Sequence, residues 1–177
     1  MKTIAIAVGG SKRSGKTTTV EALVRELTKR RYSIAAVKHI SEQDFTIDTE
    51  GKYTWRYAQA GAGKIISIAA GEIATIEKVS RAFSLEEILG RCEGYDLVLL
   101  EGFKKLVSNK RDIPKVVVVK SPEEAQDSLR TYDPILAFAG PYSTENLNLK
   151  VPYVDTVKNP KKLAEIVEHL IRRRVNA

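Results

Sequence analysis

An eight-residue segment near the amino terminus has the residue types and the spacing of a phosphate-binding loop. Residues 10–17 read Gly-Ser-Lys-Arg-Ser-Gly-Lys-Thr and match G-x-x-x-x-G-K-[ST] at every fixed position. The preceding residues 3–8 are apolar and mostly β-branched, which predicts a buried strand. After the segment, apolar residues recur at helical spacing. This strand-loop-helix context favours phosphate binding, and a glycine-rich turn that merely caps a helix is the alternative.

The chemistry of a nucleoside triphosphate explains these residue types. Successive main-chain N–H groups donate hydrogen bonds to anionic oxygens, and glycine lets the backbone approach them closely. The helix that begins near Lys16 adds the partial positive charge of its peptide dipoles. We predict that Lys16 bridges the β- and γ-phosphates in catalysis, that Thr17 ligates Mg²⁺ and that Thr18 reaches the α-phosphate. The predicted nucleotide-binding residues are Gly10, Ser11, Lys12, Arg13, Ser14, Gly15, Lys16, Thr17 and Thr18.

Residues 95–104 supply the acidic partner that such a loop requires. An apolar run begins after Asp96 and ends at Glu101. Five residues of strand cover about 16 Å, so only one of these carboxylates can reach a metal ion at the loop. Ligands of open α/β sheets bind beyond the carboxyl ends of the strands, which favours Glu101 as the catalytic carboxylate that holds a metal-bound water or orients the attacking water. We predict that Asp96 caps the other end of the strand. A solvated turn carboxylate is the alternative for Glu101.

The chain that leaves the second predicted strand carries many polar groups, and its position predicts a loop over the nucleotide. It begins with Val37, Lys38 and His39. A structural hydrogen-bonding role is favoured for His39, because a lone histidine more often has that role than a catalytic one. Asp48 is predicted to join the Mg²⁺ site. A carboxylate that turns the chain before Gly51 is an equal alternative for Asp48.

Two segments compete for recognition of the base. Residues 109–112 read Asn-Lys-Arg-Asp and match N-K-x-D, with which many GTPases bind guanine. Such a reader should follow a strand, whereas this segment precedes one, so a charged surface loop is favoured. Residues 140–143, which follow an apolar run, are an alternative base-side loop. Neither segment decides between guanine and adenine.

Strands and helices alternate along the chain, which predicts an α/β fold with a mostly parallel central sheet and helices on both faces. Strands are predicted at residues 33–38, 64–69, 73–77, 97–100, 115–119 and 135–139. Helices are predicted at residues 54–60, from a capping box at Ser84 to Arg91, and from Asn159 onward. Residues 104–108 are predicted to be irregular. A single domain covering residues 1–177 is predicted.

Composition favours a soluble cytoplasmic protein. The single cysteine, Cys92, cannot form an intramolecular disulfide and offers no structural zinc site. The first apolar run ends at Val8, too early for a signal peptide or a membrane span. The net charge is +7, but the basic clusters at residues 29–31 and 172–174 complement predicted helix ends. Because no nucleic-acid module is recognisable, we expect no nucleic-acid partner and no membrane.

Several segments together resemble the molybdopterin-guanine dinucleotide biosynthesis protein B family over about the first 120 residues. They are residues 9–18, 37–39, 48, 51–52, 60–62 and 100–104. The resemblance implies a P-loop NTPase fold, a homodimer, Mg²⁺ as cofactor and GTP as ligand with weak GTPase activity. It also implies an accessory role beside the molybdenum cofactor guanylyltransferase that attaches GMP to molybdopterin. The phosphate, Mg²⁺ and hydrolysis roles then fall on residues 10–18, Asp48 and Glu101.

Three positions depart from the family pattern: Tyr53 replaces an acid, the loop after His39 lacks a further histidine, and Lys105-Leu106 replaces a histidine-acid pair. These changes leave triphosphate binding intact and concern contacts to the molybdenum cofactor or the partner. Two other functions remain open. A P-loop small-molecule kinase would need an acceptor pocket and a lid, and a nickel-insertion GTPase would need soft or imidazole ligands, of which two histidines and one cysteine offer few.

Overall fold

The computed structural model describes residues 3–42, 44–140 and 150–175. Contacts divide the chain into two compact units, residues 1–39 with 85–177 and residues 40–84. The single domain over residues 1–177 stays a prediction. In chain order the elements are β1 (Ile4–Gly10), α1 (Lys16–Lys29), β2 (Ile34–Lys38), α2 (Tyr53–Gln59), β3 (Lys64–Ile68), β4 (Ile73–Glu77), α3 (Leu85–Gly90), β5 (Leu97–Glu101), α4 (Lys104–Val107), β6 (Lys115–Val118), α5 (Pro122–Thr131), β7 (Ile135–Gly140), β8 (Tyr153–Asp155) and α6 (Pro160–Val175).

The first unit is built on a six-stranded sheet with the order β2-β5-β1-β6-β7-β8. Every neighbouring pair in this sheet is parallel. All residues of β5 and β6 are buried, as expected for parallel strands that are covered on both faces. The predicted parallel sheet is therefore confirmed.

Helices cover both faces of this sheet, because alternate side chains of a strand point to opposite sides. On one side, Val116 and Val118 of β6 belong to a core with Leu23 of α1 and Leu163 of α6. On the other side, Val117 and Val119 pack in a core with Ala125 of α5. Each fully buried valine or leucine contributes about 1.5 to 3 kcal/mol through removal from water.

The parallel strands end at one common edge of the sheet. The ends of β1, β2 and β5 therefore lie side by side. Glu101 at the end of β5 is the register partner of Val8 in β1 and of Lys38 in β2. At the opposite edge, Asp96 accepts hydrogen bonds of 2.7 Å from the main-chain N–H and from the hydroxyl of Ser33. These bonds lower the pKa of Asp96. The prediction that Asp96 caps the far end of its strand is confirmed.

Four elements of the first unit differ from the prediction. The short helix α4 occupies residues that were predicted to be irregular, and α5 and β8 were not predicted. The start of α5 had a usable signal: the hydroxyl of Ser121 accepts from the N–H of Glu124 at 3.3 Å, and Pro122 is the first helical residue. The three residues of β8 are too few to show a period. Helix α3 ends at Gly90, one residue earlier than predicted.

The second unit contains α2 and a two-stranded antiparallel sheet of β3 and β4. Both strands lie where they were predicted, and they pair with each other and not with the six-stranded sheet. Ile68 pairs with Ile73 across a four-residue connection. So short a connection permits only a hairpin, because parallel neighbours need a crossover of a dozen residues or more.

Within the described ranges, no helix combines the length and the apolar character that crossing a membrane would require.

Candidate nucleotide-binding site

The turn between β1 and α1 has the backbone that the loop pattern predicts. Gly15 is the N-cap of α1 with φ of 97°, and Gly10 has φ of 139°. Side chains with a Cβ rarely adopt such values. A Cβ on Gly10 would also lie 2.3 Å from the carbonyl oxygen of Val118 in β6. The fixed glycines of the pattern are therefore required by backbone angle and by contact with the neighbouring strand.

Lys16 folds back over the loop. Its ammonium donates hydrogen bonds to the carbonyl oxygens of Gly10 at 3.2 Å and of Ser11 at 2.5 Å. An ammonium has three donors, so one remains for a phosphate oxygen. Burial lowers the pKa of Lys16, and the carboxylate of Glu101 opposes that shift. The predicted phosphate-bridging lysine thus lies across the mouth of the loop and not away from it.

Ser14 provides an observation that favours an anion in this loop. Its hydroxyl oxygen is buried and has no hydrogen-bond partner among the residues described. A buried hydroxyl without a partner costs about 1 to 3 kcal/mol, and a phosphate oxygen would satisfy it. Lys12 and Arg13, also predicted to bind, are exposed on the loop. Thr18 is exposed in the first turn of α1, and its contact with the α-phosphate stays a prediction.

Thr17 and Glu101 meet at the edge of the sheet. The hydroxyl of Thr17 donates to a carboxylate oxygen of Glu101 at 2.9 Å. Glu101 is buried, which rules out the alternative of a solvated turn carboxylate. A hydroxyl that donates its proton keeps its lone pairs for a cation, and Mg²⁺ prefers hard oxygen ligands of these two kinds. The pair therefore fits the predicted Mg²⁺ site.

Lys38 joins this pair, although sequence analysis gave it no role. Its ammonium nitrogen lies 3.3 Å from the hydroxyl oxygen of Thr17, to which it donates, and 3.4 Å from the same oxygen of Glu101. The only sequence signal for this contact was the position of Lys38 at the end of β2, which pairs with the strand that ends at Glu101. Only the register between β2 and β5 shows that the two side chains meet.

Asp48 belongs to the second unit, and its described contacts are local. One carboxylate oxygen accepts from the N–H of Thr49 at 2.9 Å and from the hydroxyl of Thr54 in α2 at 2.7 Å. The other oxygen is buried and has no hydrogen-bond partner within the described ranges. These bonds agree with the alternative of a carboxylate that turns the chain. The metal role of Asp48 stays a prediction.

His39 has contacts of a structural kind. Its main-chain N–H donates to the carbonyl oxygen of Glu101 at 2.8 Å, and its ring meets that of Phe103 edge-on with 5.5 Å between centroids. The favoured structural role is therefore supported. These contacts also fix the main chain of Glu101.

Glu124 was missed by sequence analysis, yet it contacts the loop. Its carboxylate accepts from the hydroxyl of Ser11 at 3.1 Å and from the main-chain N–H of Lys120 at 2.9 Å. Burial raises the pKa of Glu124, but these hydrogen bonds outweigh it and leave the pKa below its ordinary value. Glu124 thus ties the first residues of the loop to the end of β6. The Ser-Pro-Glu-Glu pattern at residues 121–124 could have revealed it.

The N-K-x-D segment lies at the wrong edge of the sheet for a guanine reader. Residues 109–112 precede β6, whereas the phosphate loop follows the carboxyl end of the parallel strand β1. The carbonyl oxygen of Lys110 accepts from the ammonium of Lys115 at 2.6 Å, and Arg111 pairs with Asp133 at 3.1 Å. These contacts agree with the favoured charged surface loop. Of the alternative loop, Gly140 ends β7, and residues 141–143 lie outside the described residues.

A model of the molybdopterin guanine dinucleotide synthesis protein B family matches residues 5–140. The chain belongs to this family. The matched range includes residues 10–18, Lys38, Asp48 and Glu101, so every predicted site residue lies within the family's part of the chain. The resemblance inferred from the sequence is confirmed.

Relatives and solved structures agree with this assignment. A molybdopterin-guanine dinucleotide biosynthesis adapter protein of Haemophilus influenzae is 32% identical over 115 residues, covering 64% of this chain and 61% of the relative. A putative adapter protein of Methanocaldococcus jannaschii is 37% identical over 120 residues, covering 67% of this chain and 48% of the relative. The chain therefore spans about half to three fifths of the length of these relatives.

Two crystal structures extend the comparison to the fold. One is of molybdopterin-guanine biosynthesis protein B, with a TM-score of 0.71 and 26% identity over 96% of this chain and 99% of the other. The second is of a MobB homologue from Bacillus stearothermophilus, with a TM-score of 0.69 and 22% identity over 96% and 98% of the two chains. At that identity the second structure shows the fold alone.

In the three described ranges, no group of three or more histidine, cysteine, aspartate or glutamate side chains is arranged to hold a metal ion.

Proposed function

We propose that this chain binds GTP with Mg²⁺ at residues 10–17, hydrolyses it slowly, and serves as an adapter in the attachment of GMP to molybdopterin. The guanylyltransferase that performs the attachment would be its partner. The observation that carries the proposal is the hydrogen bond from Thr17 to Glu101. It places a hydroxyl of the loop helix and a strand-end carboxylate at one point, as a metal-assisted phosphate site requires. Relatives named for this biosynthesis support the pathway.

The side chains at the loop have separate roles in this proposal. Main-chain N–H groups of the loop, the hydroxyl of Ser14 and the remaining donor of Lys16 would bind phosphate oxygens. Thr17 would offer a lone pair to the cation. Bound Mg²⁺ would neutralise charge on the β- and γ-phosphates. Glu101 would orient water with the oxygen that does not accept from Thr17.

We propose that the base is recognised near the carboxyl ends of β7 and β8. These strands lie two and three places from β1 in the sheet. At about 4.8 Å per strand, their carboxyl ends are roughly 10 to 14 Å from the phosphate loop, a span comparable with that from phosphates to base. Gly140, the first residue of the alternative base-side segment, ends β7 in this position, and the role of residues 140–143 stays a prediction.

The test of the proposal is a calorimetric titration of the purified chain with GTP and ATP, with and without Mg²⁺. We expect GTP to bind at least about tenfold more tightly than ATP and Mg²⁺ to strengthen binding. In Glu101→Gln, which keeps the size of the side chain, the gain from Mg²⁺ should shrink and phosphate release should slow by about 10- to 100-fold. Equal affinity for the two nucleotides would contradict the assignment to GTP.

We also propose that the protein is a homodimer that forms through the β3–β4 hairpin. Ile66, Ile68 and Ile73 lie on one face of this hairpin, with exposed fractions of 54%, 77% and 70%. An isolated two-stranded sheet is only marginally stable in water, so a second copy that covers this apolar face would stabilise it. The same face on both copies is self-complementary, as a twofold interface requires.

Replacing Ile68 with lysine should convert the dimer to a monomer, because two charges would face each other in an apolar contact. Analytical ultracentrifugation at about 10 to 50 μM measures the change. Val157→Lys is the matched control, since Val157 is 65% exposed and lies in the first unit. A wild-type protein that sediments as a monomer would refute this interface.

Cytosolic location is part of the same proposal, because the free thiol of Cys92 is buried and suits a reducing compartment. The kinase and nickel-insertion alternatives stay untested, and no contact described above favours either of them.

A further inference from the structure

Lys38 occupies the oxygens that a metal ion would need. Its ammonium donates to the hydroxyl oxygen of Thr17 at 3.3 Å and lies 3.4 Å from the carboxylate oxygen of Glu101. The same carboxylate oxygen accepts the proton of Thr17 at 2.9 Å. One cation is therefore already shared by the two groups that fit Mg²⁺.

We infer that Lys38 is a built-in competitor that keeps divalent cations out of this site until a nucleotide brings one. This inference rests on the proposed Mg²⁺-nucleotide site. A threonine hydroxyl has two acceptor lone pairs, and Lys38 uses one of them. A metal ion on the same lone pair must displace the ammonium.

A metal ion on the other lone pair of Thr17 would still be opposed by Lys38. With ligand distances of about 2 Å for Mg²⁺, a divalent ion at these oxygens would lie within about 5 Å of the ammonium. Like charges at that separation repel appreciably even in water. Both arrangements therefore weaken metal binding to the two protein ligands alone.

The exposures of the Lys38 and Glu101 side chains make this exchange physically feasible. The side chain of Lys38 is 54% exposed, whereas that of Glu101 is only 10% exposed. The lysine can leave for solvent at little cost, because half-exposed ion pairs are weak. Phosphate oxygens would add ligands to the metal and attract the released ammonium. Metal and nucleotide would then bind cooperatively, because Lys38 weakens metal binding when no nucleotide is present.

The test measures Mn²⁺ binding by electron paramagnetic resonance to the nucleotide-free protein, which requires no turnover. Lys38→Met should bind Mn²⁺ about three- to tenfold more tightly than wild type, because it removes the competing charge. The added methionine stem keeps most of the side-chain volume. Lys105→Met, an exposed lysine on α4, removes the same net charge elsewhere and should change Mn²⁺ affinity less than twofold.

Two further variants separate this inference from other roles of Lys38. Lys38→Arg should restore the wild-type Mn²⁺ affinity, and Lys38→Met combined with Glu101→Gln should lose the gain. Unchanged or weaker Mn²⁺ binding in Lys38→Met would overturn the inference. Because these measurements contain no nucleotide, they can fail while GTP binding succeeds, and GTP binding can fail while they succeed.

Discussion

Replacement of Lys16 with alanine is expected to cost most of the affinity for GTP. The ammonium lies over the loop, held by the carbonyl oxygens of Gly10 and Ser11, and one donor remains for the phosphates. Loss of a charge-assisted contact in a partly desolvated site removes about 2 to 4 kcal/mol of binding free energy. That corresponds to a fall in affinity of about 30- to 800-fold.

Calorimetric titration of GTP against the wild type and the Lys16→Ala variant measures this loss. Lys12→Ala is the control variant. Lys12 is exposed on the same loop, and its main-chain N–H remains after the substitution. We expect that variant to lose less than about fivefold, as a screened surface charge should. Thermal unfolding of both variants shows that the fold is intact. Undiminished GTP affinity in Lys16→Ala would remove this lysine from the site.

The loop at residues 10–17 and its backbone could be predicted because the pattern is local. Backbone angles at Gly10 and Gly15 demand glycine, and eight consecutive residues contain the complete pattern. The position of Glu101 beside this loop followed from one further rule, that ligands of parallel sheets lie beyond the carboxyl ends of the strands. Both predictions needed only the order of elements and not their packing.

Lys38 shows what the sequence could not reveal. Its contact with Thr17 and Glu101 depends on β2 lying beside β5, and these strands are separated by more than 50 residues. Strand order is a long-range property, since each pairing is selected by the packing of the whole sheet. Lys38 therefore looked like one more polar residue at a strand end until the register was known.

The hairpin illustrates a second limit. Residues 64–68 and 73–77 were located correctly as strands, yet alternation along a strand does not say which sheet it joins. The short connection between them was the better guide, because it excludes parallel pairing. Helix α5 was missed for a different reason. Its Ser121-Pro122 start is a clear signal for the beginning of a helix, but the apolar residues that follow do not recur at helical spacing.

Replacement of Lys115 with methionine is expected to lower the free energy of unfolding by about 2 to 4 kcal/mol. Lys115 is fully buried at the start of β6. Its ammonium donates to the carbonyl oxygens of Lys110 at 2.6 Å and of Asp133 at 2.5 Å. Methionine has similar length but no donor, so both buried carbonyls would lose a partner. The removal of a desolvated charge offsets part of this cost.

The contribution of Lys115 to the free energy of unfolding should change with pH in one direction. Burial lowers the pKa of Lys115 from 10.5, although the carboxylates of Asp133 and Asp112 oppose the shift. Between the lowered pKa and 10.5 the unfolded chain binds more protons than the folded one, so the contribution of Lys115 to stability increases as pH rises through that window. Deprotonation costs no hydrogen bond, because a neutral amine keeps two N–H donors for the two carbonyl oxygens.

Urea denaturation of the wild type and Lys115→Met between about pH 7 and pH 10 measures both the loss of unfolding free energy and its dependence on pH. The stability difference between the two proteins should widen as the pH rises, since only the wild type sheds the buried charge. Lys105→Met, at an exposed position on α4, should stay within about 0.5 kcal/mol of the wild type at every pH. A difference that narrows with pH would mean that the ammonium form is the one the fold stabilises. A Lys115→Met variant as stable as the wild type would mean that the two carbonyls find other donors.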